Sequence, residues 1–158
     1  MTFDEVPVRE SDFALYFDEN NNEFELLAAR VFLLAPEKAD RVWRKYISED
    51  ANTYFQLPDS SWLVERNLEK IGRWLEAFNS GDRSTIEKLL FSSVDWAQDE
   101  RVLFCARRNS ILRTEWRVFA AIWDCFLCFE DDCPILIREN SDESEALLFT
   151  PGGDIQKI

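Results

Sequence analysis

Four cysteines, at 105, 125, 128 and 133, supply the ligand number of a four-thiolate zinc site. Zinc ribbons present each cysteine pair on a tight turn, whereas the stretch from Cys125 to Phe129 reads as an apolar strand. Alternation along a strand throws Cys125 and Cys128 onto opposite faces, where they cannot share an ion unless the strand bulges. A redox pair needs its thiols at a helix start, and this pair follows a helix. The cysteines therefore read as reduced core residues, and neither a metal nor a cofactor is expected.

Carboxylates are the next candidates. Glu130-Asp131-Asp132, with Asp124 nearby, offers hard oxygen ligands but lacks the spacing and central glycine of a calcium loop. Aspartates in a turn commonly cap local amides. The alternative is a binding role, in which Glu130, Asp131 and Asp132, with Asp142, Glu143 and Glu145, meet the lysines and arginines of a partner. Arginines cluster as well, at 101, 107, 108, 113 and 117. Arg107, Arg108 and Arg113 could hold an anionic substrate, with Glu115 or Asp131 as the acid-base group. In so acidic a chain the competing reading is that these arginines pair with neighbouring carboxylates. Pro151-Gly152-Gly153-Asp154 has no phosphate-loop spacing. Histidine is absent, which removes the commonest general base and tilts the reading away from an enzyme. Of the six tryptophans, Trp62 sits in a polar connection and is the candidate for an exposed interface anchor.

The chain that must position these groups has 158 residues, which suits one domain over 1–158. Hydrophobic residues make up 46% and aromatics 14%, enough for a packed core rather than disorder. Net charge is −13 and is spread over both halves, so nucleic acid and anionic membranes are not expected partners. No apolar run is long enough to span a bilayer, and the acidic start does not resemble a signal peptide. A cytoplasmic location is expected.

Periodicity places the elements. Phe13–Phe17 reads as a short strand, and Phe24, Leu27, Ala28 and Val31 as a helix face. Phe32–Leu34 is left open between helix and strand. Pro36 suits a helix start, followed by the amphipathic set Ala39, Val42, Trp43, Tyr46 and Ile47. Leu68, Ile71, Leu75 and Phe78 line a further helix closed by Gly81. Ser84-Thr85-Ile86-Glu87 resembles a capping box. From Arg101 a sheet begins. Val102–Ala106 is continuously apolar, as in a strand covered on both faces. Thr114 is expected to cap a helix striped by Trp116, Phe119, Ala120 and Trp123. Strands follow at 125–129, 135–137 and 146–149, then a turn and a short last segment. The expected class is α+β, with a helical N-terminal part packed on a mostly antiparallel C-terminal sheet of four to five strands.

The pattern Thr114-x-Trp116-x-Val118-Phe119, Trp123, Phe126-Leu127, Asp131-Asp132-x-Pro134-x-Leu136-Ile137, preceded by Asp95-Trp96 and the strand Val102–Cys105, resembles a bacterial domain-of-unknown-function family. The resemblance is strongest in the last third of the chain. It implies a small single-domain cytosolic protein, and it carries over no catalytic residue.

Two functional readings remain open. The first is a non-enzymatic acidic interaction domain, of inhibitor or immunity type, engaging a basic protein. The second is a small enzyme or ligand-binding domain with an arginine-lined pocket for an anionic metabolite. Either fits a monomer or a homodimer.

Overall fold

The computed structural model describes residues 4–19, 21–65, 68–127, 132–139, 141 and 145–158. The central strand shows why the chain folds as it does. Strand β4 (Arg101–Arg107) is apolar at five consecutive positions, and alternate side chains enter two separate cores. Val102, Phe104 and Ala106 enter one, and Leu103 and Cys105 enter the other. Both faces of the sheet are covered, as the continuous apolar run requires.

Eight strands make this sheet. They are β1 (Glu5–Pro7), β2 (Phe32–Leu34), β3 (Glu69–Arg73), β4, β5 (Ser110–Glu115), β6 (Ile135–Arg138), β7 (Ala146–Phe149) and β8 (Asp154–Lys157). Their order is β1-β2-β5-β4-β6-β7-β8-β3, and every neighbouring pair is antiparallel. The helices are α1 (Asn22–Ala28), α2 (Pro36–Tyr46), α3 (Trp62–Glu65), α4 (Leu75–Ser80), α5 (Arg83–Ser93), α6 (Trp116–Ala121) and α7 (Trp123–Phe126).

On the first face, α1 and α4–α7 bury an aromatic cluster over β4 and β7. Phe119 is its hub, with ring centroids 4.9 Å from Phe126, 5.6 Å from Phe149 and 5.8 Å from Phe104. On the second face, α2 inserts Ala39, Trp43 and Ile47 against Leu103, Ile111, Ile135 and Leu148. Trp43 is fully buried, and its indole N–H donates to the Ala51 carbonyl at 2.7 Å.

The α+β class holds, but the sheet has eight strands rather than four to five. It is not confined to the C-terminal part, because β1, β2 and β3 come from the first half, and α6 and α7 lie in the last third. Phe32–Leu34 is a strand, whereas Phe13–Phe17 is not: Ala14–Phe17 is a 3₁₀ turn. The helix expected through Leu68, Ile71, Leu75 and Phe78 is strand β3 followed by α4. The break falls at Trp74, whose N–H bonds the Gly153 carbonyl at 2.8 Å, and a bulge between Lys70 and Gly72 disturbs the strand period.

Asp82, not Ser84, caps α5: its Oδ1 accepts from the Thr85 backbone N–H at 3.3 Å, and its Oδ2 also accepts from the Thr85 hydroxyl at 2.7 Å. Thr114 is a buried β5 residue whose hydroxyl donates to the Arg30 carbonyl at 2.9 Å. Helix α6 has no side-chain cap. Its first amides, Trp116 and Arg117, bond the carbonyls of Glu100 and Gln98 at 2.8 and 2.9 Å. Cys125 lies on α7, not on a strand, so the opposite-face argument for the cysteine pair lapses. Cys128 lies outside the described residues.

Candidate functional site

The arginines expected to share an anion site divide between two places. Arg107 and Arg108 sit at the turn from β4 to β5, where Arg107 Nε donates to Asp132 Oδ2 at 3.0 Å. Asp132 is buried, so this contact neutralises a carboxylate that would otherwise be costly. Arg108 Nε donates to Asp40 Oδ1 at 2.6 Å, and its Nη1 donates to the Glu49 carbonyl at 2.7 Å. It thereby clamps α2 to the loop that follows it. The hydrogen bond from Arg108 holds the Asp40 carboxyl below its ordinary range, with help from Arg44. A cavity of about 520 Å³ lies beside this turn, lined by Pro36, Asp40, Asn52, Thr53, Arg107 and Arg108.

Arg113 lies farther along β5 and lines a different cavity, of about 380 Å³. Its neighbours there include Glu5, Arg30, Arg101, Thr114 and Glu115. The register explains the grouping. Arg101 opposes Glu115 and Leu103 opposes Arg113, so these side chains share the face that carries Leu103 into the second core. Arg113 pairs with Glu5, and at 3.4 Å with Glu139. Arg30 pairs with Glu115, donating also from Nε at 3.1 Å. The Arg30 hydrogen bond pushes the Glu115 carboxyl down, and the same contact pushes the guanidinium up. Arg101 has no carboxylate partner among the described residues.

Thus Arg113 and Glu115 come together, and Arg107 and Arg108 stand apart from them. Glu5 and Arg30 had no signal in the sequence. They reach the cavity through β1 and the end of α1, and a three-residue strand leaves almost no periodic trace.

Of the proposed acidic contacts, Glu130, Asp131, Asp142 and Glu143 lie outside the described residues. Asp132 is engaged by Arg107. Glu145 Oε2 accepts from the Trp96 indole at 2.8 Å and from Arg138 at 3.3 Å. Trp62 is half-buried rather than exposed, packs against the second core, and donates to the Tyr46 carbonyl at 3.0 Å.

Of the exposed large apolar residues among those described, Val6, Leu15, Tyr16 and Leu26 fall in the N-terminal stretch of the sequence, and Phe55 and Phe78 lie elsewhere. Leu15 is 77% exposed and Leu26 73% exposed. In the same stretch of sequence Glu10, Asp12, Asp18 and Glu23 are exposed and form no ion pair among the described residues. The salt bridge from Arg9 to Glu25 ties the turn at Val8–Glu10 to α1. Arg83 ties the same region to the helices beneath. It donates to Asp124 at 2.7 Å and also pairs with Glu19. Burial opposes its charge, but these two carboxylates outweigh it and raise its pKa.

Among the described residues no group of three or more acidic, cysteine or histidine side chains could hold a metal ion. No described helix is long and apolar enough to cross a membrane. No curated protein and no solved structure matches the chain. A family model described as protein of unknown function (DUF2947) matches residues 16–157, nearly the whole length, in agreement with the aromatic and Asp-Asp-x-Pro pattern of the last third. The chain belongs to that family.

Proposed function

We propose that this protein is a non-enzymatic interaction domain whose acidic surface engages a basic protein. One observation carries the reading: among the described residues every arginine except Arg101 is paired with a carboxylate of the same chain. Internal pairing takes up most of the arginines, whereas exposed carboxylates such as Glu10, Asp12, Asp18 and Glu23 form no ion pair among the described residues of a chain whose net charge is −13. Such a surface accelerates encounter with a cationic partner and excludes anionic ones.

The contact surface that fits best is the segment with Glu10, Asp12, Asp18 and Glu23 and with Leu15 and Leu26. An exposed leucine gains about 1.5–3 kcal/mol when an interface covers it. The carboxylates supply orientation and salt dependence. Asp132 and Glu145 serve the fold through Arg107, Trp96 and Arg138, which moves the contact away from them.

Mutation of the surface tests this. Exposed charges are worth roughly 0.3–0.5 kcal/mol each, so the combined change Glu10→Gln, Asp12→Asn, Asp18→Asn and Glu23→Gln weakens binding of a basic partner by about tenfold. The control Asp95→Asn with Asp99→Asn, exposed elsewhere, leaves affinity unchanged. Equal affinity of both variants and the wild type contradicts the assignment.

A further inference from the structure

The hairpin from β4 to β5 sets two arginines beside the cavity of about 520 Å³, a volume in the range of small-ligand sites. Arg107 opposes Ser110, so Arg108 and Asn109 form the turn itself. Asn52 and Thr53, from the loop after α2, line the same cavity. Turn and loop are fixed to each other. The Arg108 backbone N–H donates to the Asn52 carbonyl at 3.0 Å, and Arg108 Nη1 donates to the Glu49 carbonyl at 2.7 Å. Trp43 holds Ala51, just before Asn52, from the second core. A cavity held in this way needs little ordering when a ligand enters.

Both arginines serve the fold with only part of their donor sets. Arg107 meets both oxygens of Asp132 through Nε alone, at 3.1 and 3.0 Å. Its Nη1 and Nη2 have no partner among the described residues, and its side chain is 54% exposed. Arg108 uses Nε and Nη1, and its Nη2 has no partner among them either. The side chains of Asn52, Thr53 and Asn109 make no hydrogen bond among the described residues. Asp40 is the one carboxylate among the described lining residues, and it is met twice: at Oδ1 by Arg108 at 2.6 Å and at Oδ2 by Arg44 at 2.7 Å. The lining therefore combines unpartnered N–H and O–H groups from five residues with a single carboxylate already neutralised. Paired guanidinium donors from two neighbouring arginines suit a phosphate, whose three terminal oxygens accept more bonds than a carboxylate can. The amides and the hydroxyl both donate and accept, which suits the hydroxyls of a polyol.

We infer that this cavity binds a phosphomonoester of a small polyol or sugar, with its phosphate on Arg107 and Arg108 and its hydroxyls on Asn52, Thr53 and Asn109. The inference is independent of the acidic docking surface, whose residues do not line this cavity.

The test is a thermal-shift screen of the full chain with glycerol 3-phosphate, ribose 5-phosphate and glucose 6-phosphate, each hit then titrated by calorimetry. The parent polyols, inorganic phosphate and glucuronate separate the contributions of hydroxyls, phosphate and plain carboxylate. At least one ester raises the melting temperature and binds the wild type. Its dissociation constant rises by about tenfold or more in Arg107→Lys, which keeps a cation beside Asp132 but loses the paired N–H donors. It rises by about tenfold as well in the double variant Thr53→Val with Asn109→Ala, which removes two hydrogen bonds to the ligand and none within the protein. Arg101→Lys, in the other cavity, leaves binding unchanged. The inference is overturned if no ester stabilises the wild type, or if a parent polyol, inorganic phosphate or glucuronate binds as tightly as the ester. It is equally overturned if Arg101→Lys weakens binding as Arg107→Lys does, or if either site variant that melts as the wild type does binds the ester equally well.

Discussion

Cys105 is fully buried on β4, and loss of solvent pushes its thiol pKa up. Cys133 is pushed up to about 12, first by burial and then by the adjacent Asp132 carboxylate. The thiolate is the nucleophile, so both residues are inert in the native state. With iodoacetamide at about pH 8 the folded protein leaves Cys105 and Cys133 unmodified, and urea exposes both; peptide mass spectrometry reads the difference. Labelling of Cys105 in the folded protein contradicts the packing described here. At the same scale, the pairing of the arginines was legible in the sequence. A chain of net charge −13 holds few cations, and each has many carboxylates within reach. Which carboxylate it meets was not legible, because Arg30 reaches Glu115 and Arg83 reaches Glu19 across long sequence separations.

Two glycines fix how helices meet the sheet. Gly81 ends α4 in the left-handed region at φ 73°, with open space where a Cβ would project. Gly153 has φ 99°, and a Cβ there would lie 2.6 Å from Leu75 Cβ. Gly81→Ala therefore costs about 1 kcal/mol, from conformation alone. Gly153→Ala costs more, because it adds a clash at the junction where Trp74 bonds the Gly153 carbonyl. Urea denaturation orders the two variants, and a smaller loss at Gly153 contradicts the junction. Helix α2 was readable in advance from Pro36 and its long apolar stripe, and β6 and β7 from unbroken apolar runs bounded by polar turns. The misread elements are short or interrupted. Leu68, Ile71, Leu75 and Phe78 keep a helical interval although β3 carries the first part of it, since the bulge at Gly72 and the turn at Trp74 break the period-two signal. Gly72 itself admits Leu89, whose Cδ2 would lie 2.3 Å from a Cβ. Helix α7 is four residues long and follows α6 after a break at Ile122, so its apolar run resembled a strand.

For the molecule as a whole, stability depends on carboxylates and not on histidine. Asp40, Glu76, Asp82 and Glu115 are all held below their ordinary values, first by side-chain hydrogen bonds from Arg108, Arg73, Thr85 and Arg30 respectively. A folded pKa below the unfolded one gives stability that is full above the unfolded value and is lost as pH falls through the folded value. Those unfolded values are 3.8 for aspartate and 4.5 for glutamate. The urea midpoint is accordingly flat between about pH 6 and 8, where no side chain of this histidine-free chain has its ordinary pKa, and declines below about pH 4.5. A midpoint that shifts markedly between pH 6 and 8 contradicts this assignment. The same carboxylate surplus is the basis of the proposed interaction. The measurement that bears on it most directly is affinity capture from a lysate of the organism that encodes the protein. Wild type and the Glu10, Asp12, Asp18 and Glu23 neutralised variant are compared at low and high salt, and the captured complex is rebuilt from purified components. The account predicts one basic protein bound to the wild type in near-equal amount, released by salt and absent from the variant. Capture of no basic protein, or of one that salt and neutralisation leave bound, contradicts it.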